Sequence, residues 1–196
     1  MTTLIELLEA SRVFGLRTAA VAKLKAEYPD VQVKAWPGKL NVQDMVAKTG
    51  INPPAVLVAV TGQRPPDDLV SGIYDEPVEF TAYVVAENRS IGTPKKVYAG
   101  DEIGLALCGG LVRFLKTDAG RWGIDDVGHP DEVRAQPVLT LAGLEQGTAY
   151  FTVTWRQTVY GQGAPRPRAA EGELMPAPPV FGPGFPGPGE DLEVPL

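Results

Sequence analysis

Residues 99–115 read AGDEIGLALCGGLVRFL, and the conformation of this stretch decides the fold. Asp101 and Glu102 fall where a first helical turn would begin, and Lys116 falls in the last turn, which is the charge order that the helix dipole favours. Apolar residues recur at helical spacing on one face, at Ile103, Leu107, Leu111 and Phe114. The pattern predicts a helix over 100–116.

Apolar and small residues also occupy most of the other faces of this helix. Gly109 and Gly110 each cost about 1 kcal/mol relative to alanine inside a helix, so we expect close packing around them to offset that cost. An apolar helix with two faces to cover requires two partners. One is a sheet, and the other is either the N-terminal helix or a second copy of the chain.

The glycines of this stretch do not match a phosphate-binding loop. Such a loop needs a lysine and a hydroxyl residue directly after its last glycine, whereas Gly110 is followed by Leu111 and Val112. An acidic pair at the helix start would also repel an anion. The sequence therefore predicts no nucleotide and, more generally, no cofactor.

Further elements follow from the spacing of apolar and turn-forming residues on both sides of this helix. Residues 3–28 predict a helix with Thr3 as a candidate N-cap and a break near Phe14–Gly15. A short helix is predicted from Asn41 to Gly50. The predicted strands are 31–36, 54–60, 76–88, 132–141 and 148–160.

Two of the strand patterns are informative about the core. Residues 54–60, PAVLVAV, are uninterruptedly apolar, which predicts a strand covered on both faces. Residues 76–88 and 148–160 alternate, so that each has one apolar face. Pro137 predicts that its strand lies at an edge or carries a bulge.

The order of these elements predicts an α+β domain. We expect a mixed, mainly antiparallel sheet of about five strands with two main helices packed on one face. The domain is expected to occupy residues 1–160. Residues 161–196 are rich in proline and glycine, which predicts an extended or disordered C-terminal arm.

Composition narrows the class of function. A formal net charge of −6 disfavours a surface built to bind nucleic acid. The N-terminal segment carries Glu6 and Glu9 within its apolar run, and no run has transmembrane length, so we expect a soluble, unsecreted protein without a membrane partner. The single cysteine, Cys108, is expected to be a small buried apolar residue.

The sequence favours a protein that is not an enzyme. His129 is the only histidine, so neither a zinc site nor a cysteine–histidine pair is supported, and we predict no catalytic and no metal-binding residues. Adjacent carboxylates such as Asp125–Asp126 are usually solvated or capping groups. The alternative from a different class is a small cation-dependent hydrolase that uses Asp125 and Asp126.

Several segments in this order resemble one family of phage proteins. They are LKAEYPDVQVKAWPG, PPAVLVAVTG, EFTAYVVAEN, GDEIGLALCGGLVRFL, PVLTL and TAYFTVTWRQTVY. Over residues 4–160 the chain resembles the Mu-like prophage tail proteins, which are grouped with the tail terminators, or tail completion proteins, of long-tailed phages.

The resemblance implies a structural virion protein. Such a subunit forms a ring, usually a hexamer, at the head-proximal end of the tail tube. There it stops tube polymerisation and offers a surface to the head–tail connector protein, while DNA passes through the lumen without specific binding. The implied partners are other copies of the chain, the tail tube protein and the connector. An alternative in the same class is another head–tail connector or neck protein.

Interface residues are chosen from this sequence alone. A closed ring requires two different surfaces on each subunit, and strand edges, the long 61–75 loop and the excess apolar face of the 100–116 helix are suitable. Polar loops of this length tend to be functional. The candidates are Arg64, Asp67, Asp68, Tyr74, Leu105 and Val112.

Overall fold

A computed structural model describes residues 3–39, 50–64, 74–138 and 147–162. The helices are α1 (Leu4–Ala10), α2 (Arg12–Glu27) and α3 (Gly100–Leu115), with a 3-10 turn at Asp118–Arg121. The strands are β1 (Gln32–Trp36), β2 (Ala55–Gln63), β3 (Tyr74–Glu87), β4 (Arg89–Ile91), β5 (Lys96–Tyr98), β6 (Asp131–Val138) and β7 (Thr148–Gln162).

Five strands form one mixed sheet in the order β1-β2-β3-β7-β6. Only β1 and β2 are parallel, while the other three pairings are antiparallel. The predicted α+β class is therefore confirmed. Pro137 lies in β6, which is an edge strand of the sheet, as predicted. The predicted helix at 41–50 and the predicted C-terminal arm beyond Gln162 lie outside the described residues.

Helices α2 and α3 cover one face of the sheet, as predicted. The apolar residues of the alternating strands lie under them: Val78, Phe80, Ala82, Val84, Phe151, Val153, Trp155 and Val159. The helices contribute Leu16, Ala20, Leu24, Cys108, Leu111 and Leu115. The opposite sheet face has its own buried cluster around Leu57, Tyr83 and Tyr150, so β2 is buried on both faces.

The break between the N-terminal helices lies at Ser11, so the predicted break at Phe14–Gly15 is wrong. The Ser11 backbone N–H donates to the carbonyl oxygen of Leu8 and ends α1. The Ser11 side chain accepts from the N–H of Phe14 and begins α2. Gly15 lies within α2 because the capping hydroxyl, more than the glycine, determines where the chain turns.

The glycines of α3 do bring elements close together, but at different positions from those expected. A Cβ on Gly104 would overlap the Phe151 ring, and one on Gly100 would lie 2.9 Å from the carbonyl oxygen of Ala86. A Cβ on Gly110 would lie 3.1 Å from Tyr28 Oη, whereas Gly109 has room for one. The expectation of close packing is wrong for Gly109, because the nearest atom to a Cβ at this position is Arg113 Nη1, at 3.7 Å.

A buried glutamine connects the sheet to the loop after α3. Gln157 Oε1 accepts from the indole N–H groups of Trp122 and Trp155 at 2.8 and 3.2 Å. Its Nε2 donates to the carbonyl oxygens of Gly120 and Gly128 at 2.8 and 2.9 Å. All four hydrogen-bonding positions of the amide are used. Gln157 therefore holds the segment 118–130 against the sheet through Gly120, Trp122 and Gly128. Strand alternation predicts that residue 157 points inward, but it does not indicate these polar partners.

Candidate interaction surfaces

The carboxylates of the hydrolase alternative lie on the loop that Gln157 holds. Arg12, at the start of α2, forms an ion pair with Asp126 and also donates to the carbonyl oxygen of Tyr160. The side chain of Arg121 donates to the backbone carbonyl of Asp125 at 2.7 Å. Asp126 thus has a cationic partner within the protein. The ion pair between Arg12 and Asp126 connects the N-terminus of α2 to this loop.

The other titratable groups near this loop are exposed. His129 Nε2 lies 3.6 Å from an Asp118 carboxylate oxygen, and both side chains are exposed to solvent. Across the described parts of the chain, no three His, Cys, Asp or Glu residues are grouped so that they would hold a metal ion.

Cys108 is buried in the core, and burial raises the pKa of its thiol to about 11.

The candidate residues around the 61–75 loop flank the end of the sheet. Arg64 follows β2 and forms a bidentate contact with Glu79 Oε1, at 2.9 Å from Nη2 and 3.1 Å from Nε. Tyr74 is the first residue of β3 and lies opposite Gln162 of β7. Asp67 and Asp68 lie outside the described residues. Arg64 therefore forms an ion pair within the chain, and its contact with another subunit stays a prediction.

The candidates on α3 differ in their surroundings. Leu105 is 61% exposed, and Val112 is partly buried against the main core. Residues seven apart lie on nearly the same helix face, but the core covers this face only near its C-terminal end. Of the two, Leu105 is the residue that offers apolar surface to solvent.

A charged cluster lies near Arg64 on the sheet face away from the helices. Arg156 of β7 contacts Asp131 at 3.0 Å and Glu132 at 2.9 Å. Glu132 has a positive φ of 48°, at a bulge in β6, and this conformation places two consecutive carboxylates around one guanidinium. Hydrogen bonding to Asp131 raises the pKa of Arg156 above its ordinary value. The cluster is internally paired and stabilises the sheet edge.

Among the described residues, helix α1 carries a group of exposed apolar side chains that the sequence patterns left unassigned. Its four large apolar side chains are between 53% and 71% exposed: Leu4, Ile5, Leu7 and Leu8. A capping box begins the helix, with the Thr3 hydroxyl accepting from Glu6 N–H and the Glu6 carboxylate accepting from Thr3 N–H at 2.7 Å. The Thr3 N-cap is thus confirmed. The separation of LIELLEA from the next apolar stretch by Ser11 was the sequence signal for an independent helix.

An apolar groove lies between the β4–β5 hairpin and the first half of α3. Its volume is about 900 Å³. Arg89 and Lys95 of the hairpin border it, and Asp30 and Glu102 lie on its other walls. Its apolar lining among the described residues is Val31, Pro54, Ile91, Tyr98, Ile103, Ala106 and Leu107. No strand was predicted between residues 88 and 100, so the sequence did not indicate this groove.

Comparisons with known proteins add no assignment. No protein-family model and no curated protein sequence matches this chain. Among the residues that the structure describes, none of the helices has both the length and the hydropathy needed to span a bilayer.

Proposed function

We propose that this protein is a structural subunit that assembles into a ring, acting as a phage tail terminator. The observation that carries the proposal is the exposed apolar surface of α1. Monomeric soluble proteins rarely leave several large apolar side chains together in water, and where they do, the patch usually contacts another protein. Leu4, Leu7 and Leu8 form such a patch on one short helix.

The exposed surfaces suit a ring better than a two-fold dimer. The apolar helix α1 precedes α2, while the groove borders the residues that follow α2, so the two surfaces differ in both place and shape. Contacts between two unlike surfaces are heterologous, and they generate a closed ring when the rotation between neighbours closes. The six-fold symmetry, the virion location and the partners rest on the resemblance to tail terminators.

The role of the ring follows from that resemblance. At the head-proximal end of the tail, one face of the ring would cover the last layer of the tail tube protein and stop its growth, and the other would receive the head–tail connector. The acidic composition of the chain, with a net charge of −6, favours a lumen to which passing DNA does not adhere.

The hydrolase alternative places a cation on Asp125 and Asp126. The guanidinium of Arg12 already neutralises Asp126, and a bound cation would have to displace it. This pair favours a structural role for the loop.

Light scattering and electron microscopy of the full chain test the proposal. We expect a mass that is a multiple of the 20.9 kDa subunit, ring-shaped particles, and tagged protein at one end of purified tail tubes. Binding to isolated heads but not to tubes would favour the alternative connector role. A monomer that does not bind tubes, binds one divalent cation per chain and loses it on Asp125→Asn would instead support the hydrolase.

A further inference from the structure

We infer that helix α1 of one subunit docks in the groove between the β4–β5 hairpin and α3 of the next subunit. This inference rests on the proposed self-assembly and identifies the two surfaces that would make the contact. The groove is lined largely by apolar side chains, and α1 is an apolar segment whose large side chains are more than half exposed.

Helix α1 requires a partner on physical grounds. It has 7 residues, and helices shorter than about 12 residues are marginally stable in water unless packing supports them. Its large apolar side chains are mostly exposed, so the subunit itself supplies little of that packing. The capping box fixes where the helix begins but does not cover Leu4, Leu7 or Leu8.

The chain cannot place α1 in its own groove. Helix α2 has 16 residues and spans roughly 24 Å, and the groove borders Asp30 and Val31 just beyond its C-terminal end. Helix α1 joins the opposite end of α2 through Ser11 alone, and its own 7 residues span about 10 Å. Since α1 is too short to return along α2, an α1 helix in the groove must come from another subunit.

Charge favours one orientation of α1 in the groove. The only charged residues of LIELLEA are glutamates, whereas the hairpin carries Arg89, Lys95 and Lys96 and no acidic residue. The acidic residues of the groove, Asp30 and Glu102, lie on walls that the hairpin does not form. With its glutamate side toward the hairpin, α1 would direct its leucines at the apolar lining of α3.

The contact is heterologous, because residue sets from unlike parts of the subunit meet. Each subunit donates one α1 and receives one, so the same contact repeats from subunit to subunit. This property distinguishes it from pairing of two α1 helices, which would give an isologous dimer and stop there.

Disulfide trapping between two differently sized versions of the full chain tests the contact. One version carries Leu7→Cys and a solubility tag, and the untagged version carries Ala106→Cys, which lies in the groove. The matched control is Leu105→Cys on the untagged version, because Leu105 is the adjacent exposed residue of α3 and lies outside the groove. All three substituted positions are exposed, so folding should not change. The native Cys108 should not compete, since burial raises the pKa of its thiol to about 11.

We expect at least about tenfold more cross-linked heterodimer with Ala106→Cys than with Leu105→Cys. Association of the wild-type chain with equal yields at the two positions would overturn the inference and leave the ring proposal standing. Predominant linkage between two Leu7→Cys chains would overturn it in favour of isologous pairing. A wild-type chain that stays monomeric alone and on tail tubes would overturn both proposals.

Discussion

Leucines are buried in the core beneath α2 and α3 but exposed on helix α1. Leu16 and Leu111 are almost fully buried between helices and sheet, whereas Leu7 and Leu8 are more than half exposed. Burial of a leucine contributes about 1.5–3 kcal/mol to folding, but only where the side chain leaves water. The leucines of α1 therefore contribute little to the stability of one subunit and are available for association.

The largest expected effect comes from Gln157, which is the most deeply buried polar side chain in the described part of the chain. Replacing Gln157 with leucine would leave the indole N–H groups of Trp122 and Trp155 and two backbone carbonyls without partners. Each unpaired buried group costs about 1–3 kcal/mol, so we expect a loss of at least about 3 kcal/mol by chemical denaturation. The control is Gln162→Leu at the end of β7. Similar losses in both variants would contradict the role assigned to Gln157.

A smaller effect is expected where α3 approaches the sheet. Gly104→Ala would push a methyl group into the Phe151 ring and lower the free energy of unfolding by about 1–3 kcal/mol. Gly109→Ala, five residues along the same helix, has room for its methyl group and should stabilise the protein by up to about 1 kcal/mol. Thermal melting of both variants checks the opposite signs. Destabilisation by Gly109→Ala would show that both faces of α3 are closely packed.

Helix α1 should give almost no effect on the stability of a subunit. Leu7→Ser and Leu8→Ser should each change the free energy of unfolding of dilute protein by no more than about 0.5 kcal/mol, because both side chains are more than half exposed. Leu16→Ala should cost about 2–5 kcal/mol for comparison. Urea denaturation measures all three. A loss at Leu7 similar to that at Leu16 would show that α1 packs within the subunit.

The smallest effect is a pH dependence confined to α1. Hydrogen bonding from the Thr3 backbone and side chain lowers the pKa of the Glu6 carboxyl below its ordinary value, so the carboxylate that caps the helix stays ionised to lower pH. A lowered pKa means that this stabilisation is lost as pH falls through the pKa of the folded state. We expect the Cα chemical shifts of residues 4–8 to move toward random-coil values as the pH falls through this lowered pKa. Glu6→Gln, which lacks the ionisable group, should show no such titration.

Local patterns were sufficient for the α+β class and for most of the elements. The alternation of 76–88 and 148–160 identified which side chains face the helices, because side-chain direction in a strand depends only on position. Helix α3 was predicted over 100–116 from its apolar stripe and the charges at its ends, and it is observed at Gly100–Leu115. Strand β7 extends to Gln162, two residues beyond the predicted end of the domain at residue 160.

Two kinds of feature were not predictable in this way: the exact end of a helix, and contacts between residues far apart in the chain. The sequence indicated a helix break but not Ser11 as its position, since a serine caps a helix only if the following N–H is free to donate to it. It also did not indicate the ion pair of Arg12 with Asp126, which joins residues 114 apart. The apolar groove was missed for the same reason, because its walls come from four separate segments.

Most of the helices and strands, and the inward face of each, follow from the sequence alone, because these depend on neighbours within a few residues. Tertiary structure alone decided that Gly104, and not Gly109, meets the sheet, that Gln157 is fully hydrogen-bonded, and that the leucines of α1 stay exposed. The physical reason is that burial is a property of the assembled chain. A leucine at helical spacing has the same local pattern whether another element covers it or not.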